Sequence, residues 1–282
     1  NSQATRCNPS SGLLLHGLMA GAAVSLKGEL HVLLVRHGES TNNPLHAEIF
    51  GPVAHEAPGS AARRAAEQRW LRERQTDPPL TERGVEQAEA VAAKCQHMLP
   101  STARIYVSPF LRALQTAVPL AKALKVTNVA VNPLLYEVGG VYFESEGRRD
   151  GPGSCLSPSD IERTFPSFDI SALPGPKDKG WYHGSWESDA NARQRCQQLR
   201  AWLSELHKEQ PNGWVVLVIH GHLIDLLLKA FLGIVDDPTE DQENENVMNR
   251  RVIFFTPNCA TAHLTLRPNG SVAIHHIGGA KL

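Results

Sequence analysis

The sequence has few of the features that mark several common classes of protein. Its five cysteines, Cys7, Cys95, Cys155, Cys196 and Cys259, include no CxxC pair, so their spacing fits neither a disulfide framework nor a zinc site. The 28 basic residues nearly balance the 29 acidic ones, giving a net charge of -1. That balance supplies no general positive field to attract nucleic acid or an anionic membrane. We therefore expect neither partner, and a reducing, cytoplasmic location is the default.

No apolar stretch predicts a membrane span. Residues Gly12 to Leu26 are apolar and rich in small side chains, but they are too few to cross a bilayer and lack a strongly basic region before them. Organelle targeting by a removed N-terminal segment stays open. Because 41% of the residues are hydrophobic and 20% charged, the composition is that of a globular protein. We expect a tail over residues 1–28 and one domain over 29–282.

The pattern of apolar residues predicts an α/β protein. Residues 29–35 form a continuous apolar run, as a parallel strand buried on both faces requires. Further strands are predicted at 104–107, 129–131, 214–219, 251–255, 260–266 and 271–277. Helices are predicted at 60–74, 82–99, from Pro109 to a break or kink at Pro119, at 159–165, 187–209 and 223–232. The sheet should be mixed and mostly parallel, flanked by helices in a three-layer sandwich, with antiparallel strands near one edge.

Two stretches interrupt this pattern and are rich in Pro, Gly and charged residues. They cover residues 44–77 and 138–184. Long loops inside a compact domain are uncommon and usually functional. We interpret both as insertions that cover a site in the manner of a lid.

Polar side chains follow two of the predicted buried strands. Arg36-His37-Gly38 ends the first, and His220-Gly221-His222 ends the strand at 214–219. Ligands of open α/β sheets bind at the carboxyl ends of strands, so the two imidazoles could share one rim. Ser108-Pro109 predicts a helix N-terminus, where Arg112 and free backbone N–H groups could bind an anion.

These segments together resemble the histidine phosphatase superfamily, in its phosphoglycerate mutase-like branch. The matching motifs, in chain order, are Arg36-His37-Gly38-Glu39-Ser40 with Asn43, Pro79-Leu80-Thr81-Glu82-Arg83-Gly84 with Gln87-Ala88, Ser108-Pro109 with Arg112 and Gln115-Thr116-Ala117, then Glu137, then His220-Gly221. They extend over most of the chain. The resemblance implies a single phosphoglycerate mutase-like α/β domain that needs no metal or other cofactor.

The resemblance also implies roles for individual residues. His37 would be phosphorylated during turnover, and Glu137 would donate the proton to the leaving group. Arg36, Asn43, Arg112 and His220 match the family's phosphate pocket, which Gly221 borders. Gly38 would orient the ring of His37 through its carbonyl group.

The expected function is a metal-independent phosphomonoester hydrolase that acts on a small phosphorylated substrate and releases inorganic phosphate. Two alternatives stay open. One is a phosphoglycerate mutase, although Glu137-Val138-Gly139-Gly140-Val141-Tyr142 lacks the Arg-x-Tyr-Gly pattern that follows the glutamate of that enzyme. The other is a catalytically quiet scaffold or sensor. The sequence names no substrate, and it leaves a homodimer open.

Overall fold

The computed structural model describes residues 28–145, 148–234 and 252–278. The strands there are β1 (Leu30–Arg36), β2 (Arg104–Val107), β3 (Val129–Val131), β4 (Phe143–Ser145), β5 (Arg148–Asp150), β6 (Phe168–Asp169), β7 (Trp214–Ile219), β8 (Thr261–Leu266) and β9 (Val272–Ile277). The helices are α1 (Asn42–Phe50), α2 (Ala61–Glu73), α3 (Glu82–Met98), α4 (Leu111–Leu124), α5 (Pro158–Thr164), α6 (Asp189–Glu209) and α7 (Gly221–Leu232), with a short 3-10 helix at Pro133–Leu135.

Among the described residues, seven strands form one sheet in the order β6-β3-β2-β7-β1-β8-β9. The pairs from β6 to β1 are parallel, whereas β8 and β9 are antiparallel additions at one edge. This confirms the mixed, mostly parallel sheet. Because β1 and β7 are parallel neighbours in register, with Arg36 beside Ile219, the residues that follow both strands emerge at the same edge.

Helices cover both faces of the sheet, as the continuous apolar strands require. In β1, Leu33 and Val35 face a core built with α3 and α4, whereas Val32 and Leu34 face a core built with α6 and α7. This confirms the three-layer sandwich. Within the described part of the chain, no helix has both the length and the apolar character needed to cross a membrane.

The prediction that Pro119 ends or kinks its helix is wrong about the end, because α4 continues through Pro119 to Leu124. A proline inside a helix costs about 3 kcal/mol through a lost hydrogen bond and a steric clash. Here the next turn buries Leu120, Ala121 and Leu124 in the core, and burial of such side chains outweighs that cost.

The strand predicted at 251–255 is also absent from the residues described there, 252–255. Backbone groups in this segment bind side chains instead of a neighbouring strand. Phe254 N donates to Asp225 Oδ1 at 2.8 Å, and the following Thr256 carbonyl accepts from Arg36. Phe255 is 66% exposed, so its apolar character misled the prediction.

The two insertions contain more regular structure than expected. The first holds α1 as well as the predicted α2, and the second holds the β4–β5 hairpin, α5 and β6. They contact each other, because Arg74 Nη2 donates to the Tyr142 carbonyl at 2.6 Å and Thr76 Oγ1 donates to that of Ser154. A lid function for them stays a prediction.

Candidate active site

The ends of β1 and β7 bring two histidines together. His37 follows β1 and His220 follows β7, and their ring centroids are 5.2 Å apart. The backbone fixes this arrangement, since His37 N donates to the Ile219 carbonyl at 2.9 Å. The sequence placed both imidazoles at one rim, and the structure places them in contact there.

His37 has one ring nitrogen held by the backbone and the other directed at an arginine. Its Nδ1 lies 2.6 Å from the Gly38 carbonyl oxygen, to which it can only donate, and Arg112 Nε donates to its Nε2 at 3.2 Å. Nε2 therefore carries a lone pair. Burial, together with the charges of Arg112 and Arg36, lowers the pKa of His37 well below its usual value. The ring is neutral at physiological pH and can act as a nucleophile.

His220 is fully buried beside it. Its Nε2 lies 2.7 Å from Ser108 Oγ at the end of β2, while its Nδ1 has no hydrogen-bond partner among the described residues. Burial and the charge of Arg112 lower the pKa of His220 well below its usual value. Ser108 was predicted to cap a helix, but α4 begins only at Leu111. The Ser108 hydroxyl contacts the histidine and also accepts from Phe110 N at 3.4 Å.

One nitrogen of the Arg36 guanidinium group is hydrogen-bonded to the protein, and another has no such bond to any described residue. Nη1 donates to the Thr256 carbonyl at 2.7 Å, whereas the buried Nε has no partner in the described part of the chain. Gly221 permits this placement, because a Cβ atom there would lie 3.2 Å from Arg36 Nε. A buried, positively charged hydrogen-bond donor, Arg36 Nε, therefore lies beside the two imidazoles.

Arg112 projects from the first turn of α4 towards the same two histidines. Its guanidinium carbon lies 4.2 Å from the centre of the Phe110 ring, and its Nη1 is 4.0 Å from Asp77 Oδ1. The same carboxylate oxygen accepts from Leu111 N at 2.9 Å. Arg112 is therefore held between an aromatic face and a buried acid, which together aim its Nε at His37.

Asn43 lies in the first turn of α1, at the margin of this cluster. Its Oδ1 accepts from Ser40 N at 2.8 Å and from Asn258 Nδ2 at 3.4 Å, and Asn258 also donates to the His37 carbonyl at 3.1 Å. Because the amide oxygen of Asn43 is committed to the protein, its NH₂ group is the end that could bind an anion.

Glu137 follows the 3-10 helix and reaches the N-terminus of α7. Its Oε1 accepts from its neighbour Val138 N at 2.9 Å and from Leu223 N at 3.1 Å. Burial lowers the pKa of Arg36 and of Arg112, and the nearby Glu137 carboxylate opposes the shift in both. Glu137 is therefore within electrostatic reach of both pocket arginines.

A family model described as "Histidine phosphatase superfamily (branch 1)" matches residues 61–252. The chain belongs to this family. The matched range includes Arg112, Glu137 and His220 but not Arg36 or His37, which the geometry above joins to them. No curated protein matches the chain closely enough to count as a relative.

Solved structures of histidine phosphatase fold are similar to the chain at low identity. The ecdysone phosphate phosphatase of Bombix mori, in complex with tungstate, is 20% identical with a TM-score of 0.54, over 87% of this chain and 92% of that one. "Mycobacterial hydrolase 1" is 20% identical with a TM-score of 0.51, over 89% and 99%. A mycobacterial glucosyl-3-phosphoglycerate phosphatase with VO3 is 20% identical with a TM-score of 0.50, also over 89% and 99%. At these identities the likeness shows the fold.

Other residues of the histidine phosphatase motifs hold the loop after β1 in place. Gly38 N donates to Thr116 Oγ1 at 3.0 Å, and that hydroxyl donates to the Arg112 carbonyl at 2.7 Å. A Cβ atom on Gly38 would lie 2.4 Å from the Gly84 carbonyl oxygen, so the loop and α3 can cross only at glycine. Glu39 N donates to Gln87 Oε1 at 2.8 Å. These motif residues therefore hold the backbone that carries His37 and Arg112.

Sequence reasoning missed two residues of the pocket, Asp77 and Asn258. Asp77 was assigned to an insertion, yet its side chain is only 5% exposed beside Arg112. Burial raises the pKa of Asp77 to about 6, against the opposing charge of Arg112. Asp77 lies in the loop between α2 and α3, directly before Pro78-Pro79, where no periodic pattern marks a residue as buried. Asn258 lies in a loop after a segment wrongly predicted as a strand.

Proposed function

We propose that this histidine phosphatase superfamily member is a phosphomonoester hydrolase that forms a phosphohistidine intermediate on His37. The observation that carries the proposal is the orientation of the His37 ring. Its Nδ1 is fixed on the Gly38 carbonyl, and its neutral Nε2 accepts from Arg112 beside the buried groups of Arg36 and His220. A neutral imidazole nitrogen among fixed positive groups suits attack on a phosphate ester.

In the first step, His37 Nε2 attacks phosphorus and the bond to the ester oxygen breaks. Arg112 releases Nε2 to the incoming phosphoryl group and, with Arg36, binds its oxygens. Phosphoryl transfer mainly requires such positioning and charge stabilisation. Glu137, in its protonated form, donates its proton to the leaving oxygen, so the alcohol departs neutral.

In the second step, a water molecule attacks the phosphohistidine. Glu137, now a carboxylate, takes a proton from that water, and the bond between phosphorus and Nε2 breaks. Inorganic phosphate is released and His37 returns to its neutral form. Because the arginines supply the positive charge, we propose that the reaction requires no metal, and activity should survive dialysis against EDTA.

The decisive variant is His37→Ala. This substitution should lower kcat for p-nitrophenyl phosphate by at least about 10³-fold, because the covalent pathway is lost. It should also abolish an acid-labile, base-stable phosphoenzyme trapped by rapid quenching. His97→Ala is the matched control, because His97 is an exposed histidine in the last turn of α3. Full activity in His37→Ala would overturn the proposal.

The substrate is to be sought among small phosphomonoesters by release of inorganic phosphate. The panel should include ecdysone phosphate and glucosyl-3-phosphoglycerate, the substrates named for two of the similar structures. Incubation with 3-phosphoglycerate and catalytic 2,3-bisphosphoglycerate separates the mutase alternative, which would yield 2-phosphoglycerate without free phosphate. No turnover on the panel and no phosphoenzyme would favour the scaffold alternative.

A further inference from the structure

A buried arginine lies behind the segment that carries Glu137. Arg195, on α6, donates from Nε to Glu187 Oε1 at 2.8 Å and from Nη2 to Glu187 Oε2 at 2.5 Å. Their side chains are only 5% and 7% exposed. The Tyr136 hydroxyl donates to the same Glu187 Oε1 at 2.8 Å, and the Arg195 guanidinium lies 3.7 Å from the centre of the Tyr136 ring. We call Arg195, Glu187 and Tyr136 the Arg195 clamp.

The clamp holds the backbone on both sides of Glu137. Arg195 Nη1 donates to the carbonyl oxygens of Leu134 at 2.7 Å and of Tyr136 at 2.9 Å. On the other side, Glu187 N donates to the Gly139 carbonyl at 3.2 Å. The chain is therefore fixed two residues after Glu137 and at the residue immediately before it.

Stability alone is a poor explanation for this arrangement. Taking both charges of a buried ion pair out of water is costly, and well-packed apolar residues of similar volume are often at least as stabilising. The Arg195 nitrogen that does not bind Glu187 donates to the carbonyls of Leu134 and Tyr136. These carbonyls belong to the segment that directly precedes Glu137, the proposed proton donor. Fixed geometry is the property that these contacts supply and that apolar packing would not.

Position matters greatly for such a group. A displacement of about 1 Å can lower a rate about 10²-fold, and a general acid must lie within hydrogen-bond reach of the atom it protonates. The Glu137 side chain is itself held by two backbone N–H groups, of Val138 and Leu223. Its carboxyl can occupy one place only if the backbone of residues 136–138 is fixed.

We infer that Arg195, through Glu187 and Tyr136, is a positioning residue that holds Glu137 where it protonates the leaving group. The inference rests on the proposed function, in which Glu137 is the acid. Arg195 acts only through the segment it binds.

Two substrates of different leaving group separate this role from a loss of folding. p-Nitrophenyl phosphate has a leaving group that needs little protonation, whereas the alkoxide of β-glycerol phosphate must be protonated. The measured quantity is the ratio of their kcat/KM values, which reports steps up to formation of the phosphoenzyme. Glu137→Gln keeps the amide oxygen for Val138 N and Leu223 N but carries no transferable acid proton. It should raise the ratio about 10²-fold, within the range of general acid catalysis.

Arg195→Lys keeps the charge but loses the two-pronged contact with Glu187. We expect it to raise the same ratio by roughly tenfold, as a partial displacement of the acid would. Tyr136→Phe removes one hydroxyl donor and serves as a milder second variant, with a smaller shift in the same direction. Lys229→Met is the matched control, because it breaks the buried pair of Lys229 with Asp225 on α7; its melting temperature should fall while the ratio stays at the wild-type value.

The outcomes distinguish the two proposals. If Glu137→Gln raises the ratio but Arg195→Lys and Tyr136→Phe lower both kcat/KM values equally, the clamp is structural and the inference is wrong while the proposed acid stands. If Glu137→Gln leaves the ratio unchanged, Glu137 is not the acid, and the inference fails together with that part of the proposed function.

Discussion

At the scale of a single residue, Asp77 was not predicted to belong to the site, yet it lies beside Arg112, which was, and helps to hold it in place. It accepts a hydrogen bond from Leu111 N, lies 4.0 Å from Arg112 and belongs to the first insertion. Backbone N–H of Leu156, from the second insertion, also stabilises its charged form. Asp77 is thus the point at which both insertions meet the arginine that contacts His37.

Replacing Asp77 with asparagine should weaken the hold on Arg112. A charge pair at about 4 Å contributes at most about 4 kcal/mol at an effective dielectric constant near 20, and we expect a fall in kcat/KM on the order of tenfold. Since burial raises the pKa of Asp77 to about 6, the wild-type kcat/KM should fall as pH drops through that value and the carboxylate becomes neutral. Asp77→Asn should flatten this acid limb.

The measurement is a pH profile of kcat/KM for both proteins on one substrate. A phosphomonoester itself loses its second proton near pH 6, so the informative quantity is the ratio of the two profiles. Asp178→Asn, in the exposed part of the second insertion, is the control. A ratio that does not change between pH 5 and pH 8 would show that Asp77 does not titrate in the working range.

At the scale of elements, strands and helices with strong apolar patterns could be predicted from the sequence. The loops and short segments that pack between them could not. The sequence pattern located β1, β7 and α6 to within about two residues, because each buries a regular series of side chains. It failed at 252–255, where side chains bind the backbone, and at α1, whose mean burial is low. Likewise Arg36 ends β1, and His37 and His220 directly follow β1 and β7, so all three could be found from the strand pattern. Asp77 and Asn258 lie in loops whose position depends on tertiary contacts.

The crossing of α3 over the loop after β1 gives a test at this scale. A Cβ atom on Gly84 would lie 2.0 Å from the Glu39 carbonyl oxygen. Helix propensity alone predicts that Gly84→Ala stabilises α3 by about 1 kcal/mol. Overpacking against backbone costs about 1–3 kcal/mol or more, so we expect net destabilisation, with reduced activity because the displaced loop carries His37 and Gly38.

Urea unfolding measures this effect through the midpoint and slope of the transition. Ala93→Gly, an exposed site on the same helix, is the reverse control and should lose about 1 kcal/mol by propensity alone while keeping full activity. A Gly84→Ala protein more stable than the parent would mean that loop and helix separate at little cost.

At the scale of the whole molecule, histidines occupy two regions of the same sheet. His37 and His220 lie at the carboxyl ends of β1 and β7, and a second group lies at the other end of β1. There His31 stacks on Trp214 with ring centroids 4.3 Å apart, and His263 lies 4.4 Å from His275. Burial lowers the pKa of His31 and His276, and lowers that of His263 to about 3, with His275 and His31 adding to the last shift.

These shifts predict that acid destabilises the fold. The pKa values of His31, His263 and His276 are lower in the folded chain than in the unfolded chain, so below the usual pKa of about 6.5 these three groups take up protons on unfolding. The free energy of unfolding therefore falls as pH drops below about 6.5, by at most about 1.4 kcal/mol per pH unit for each proton taken up, and for His263 the fall continues towards pH 3. Because His263 is partly exposed, solvent screening reduces its share.

His263→Phe keeps an aromatic ring between Trp214 and His275 and removes the titrating group, so it should lessen the slope between pH 6.5 and pH 4.5 by up to one proton. The measurement is urea unfolding at several pH values in constant ionic strength, with the m-value followed to detect any loss of two-state behaviour. His55→Phe, at a histidine whose side chain is 78% exposed, should leave the slope as in the parent. If His263→Phe has the parental slope, the acid sensitivity arises elsewhere, and the buried pair His37 and His220 would be the next to test, in proteins that carry substitutions at those positions.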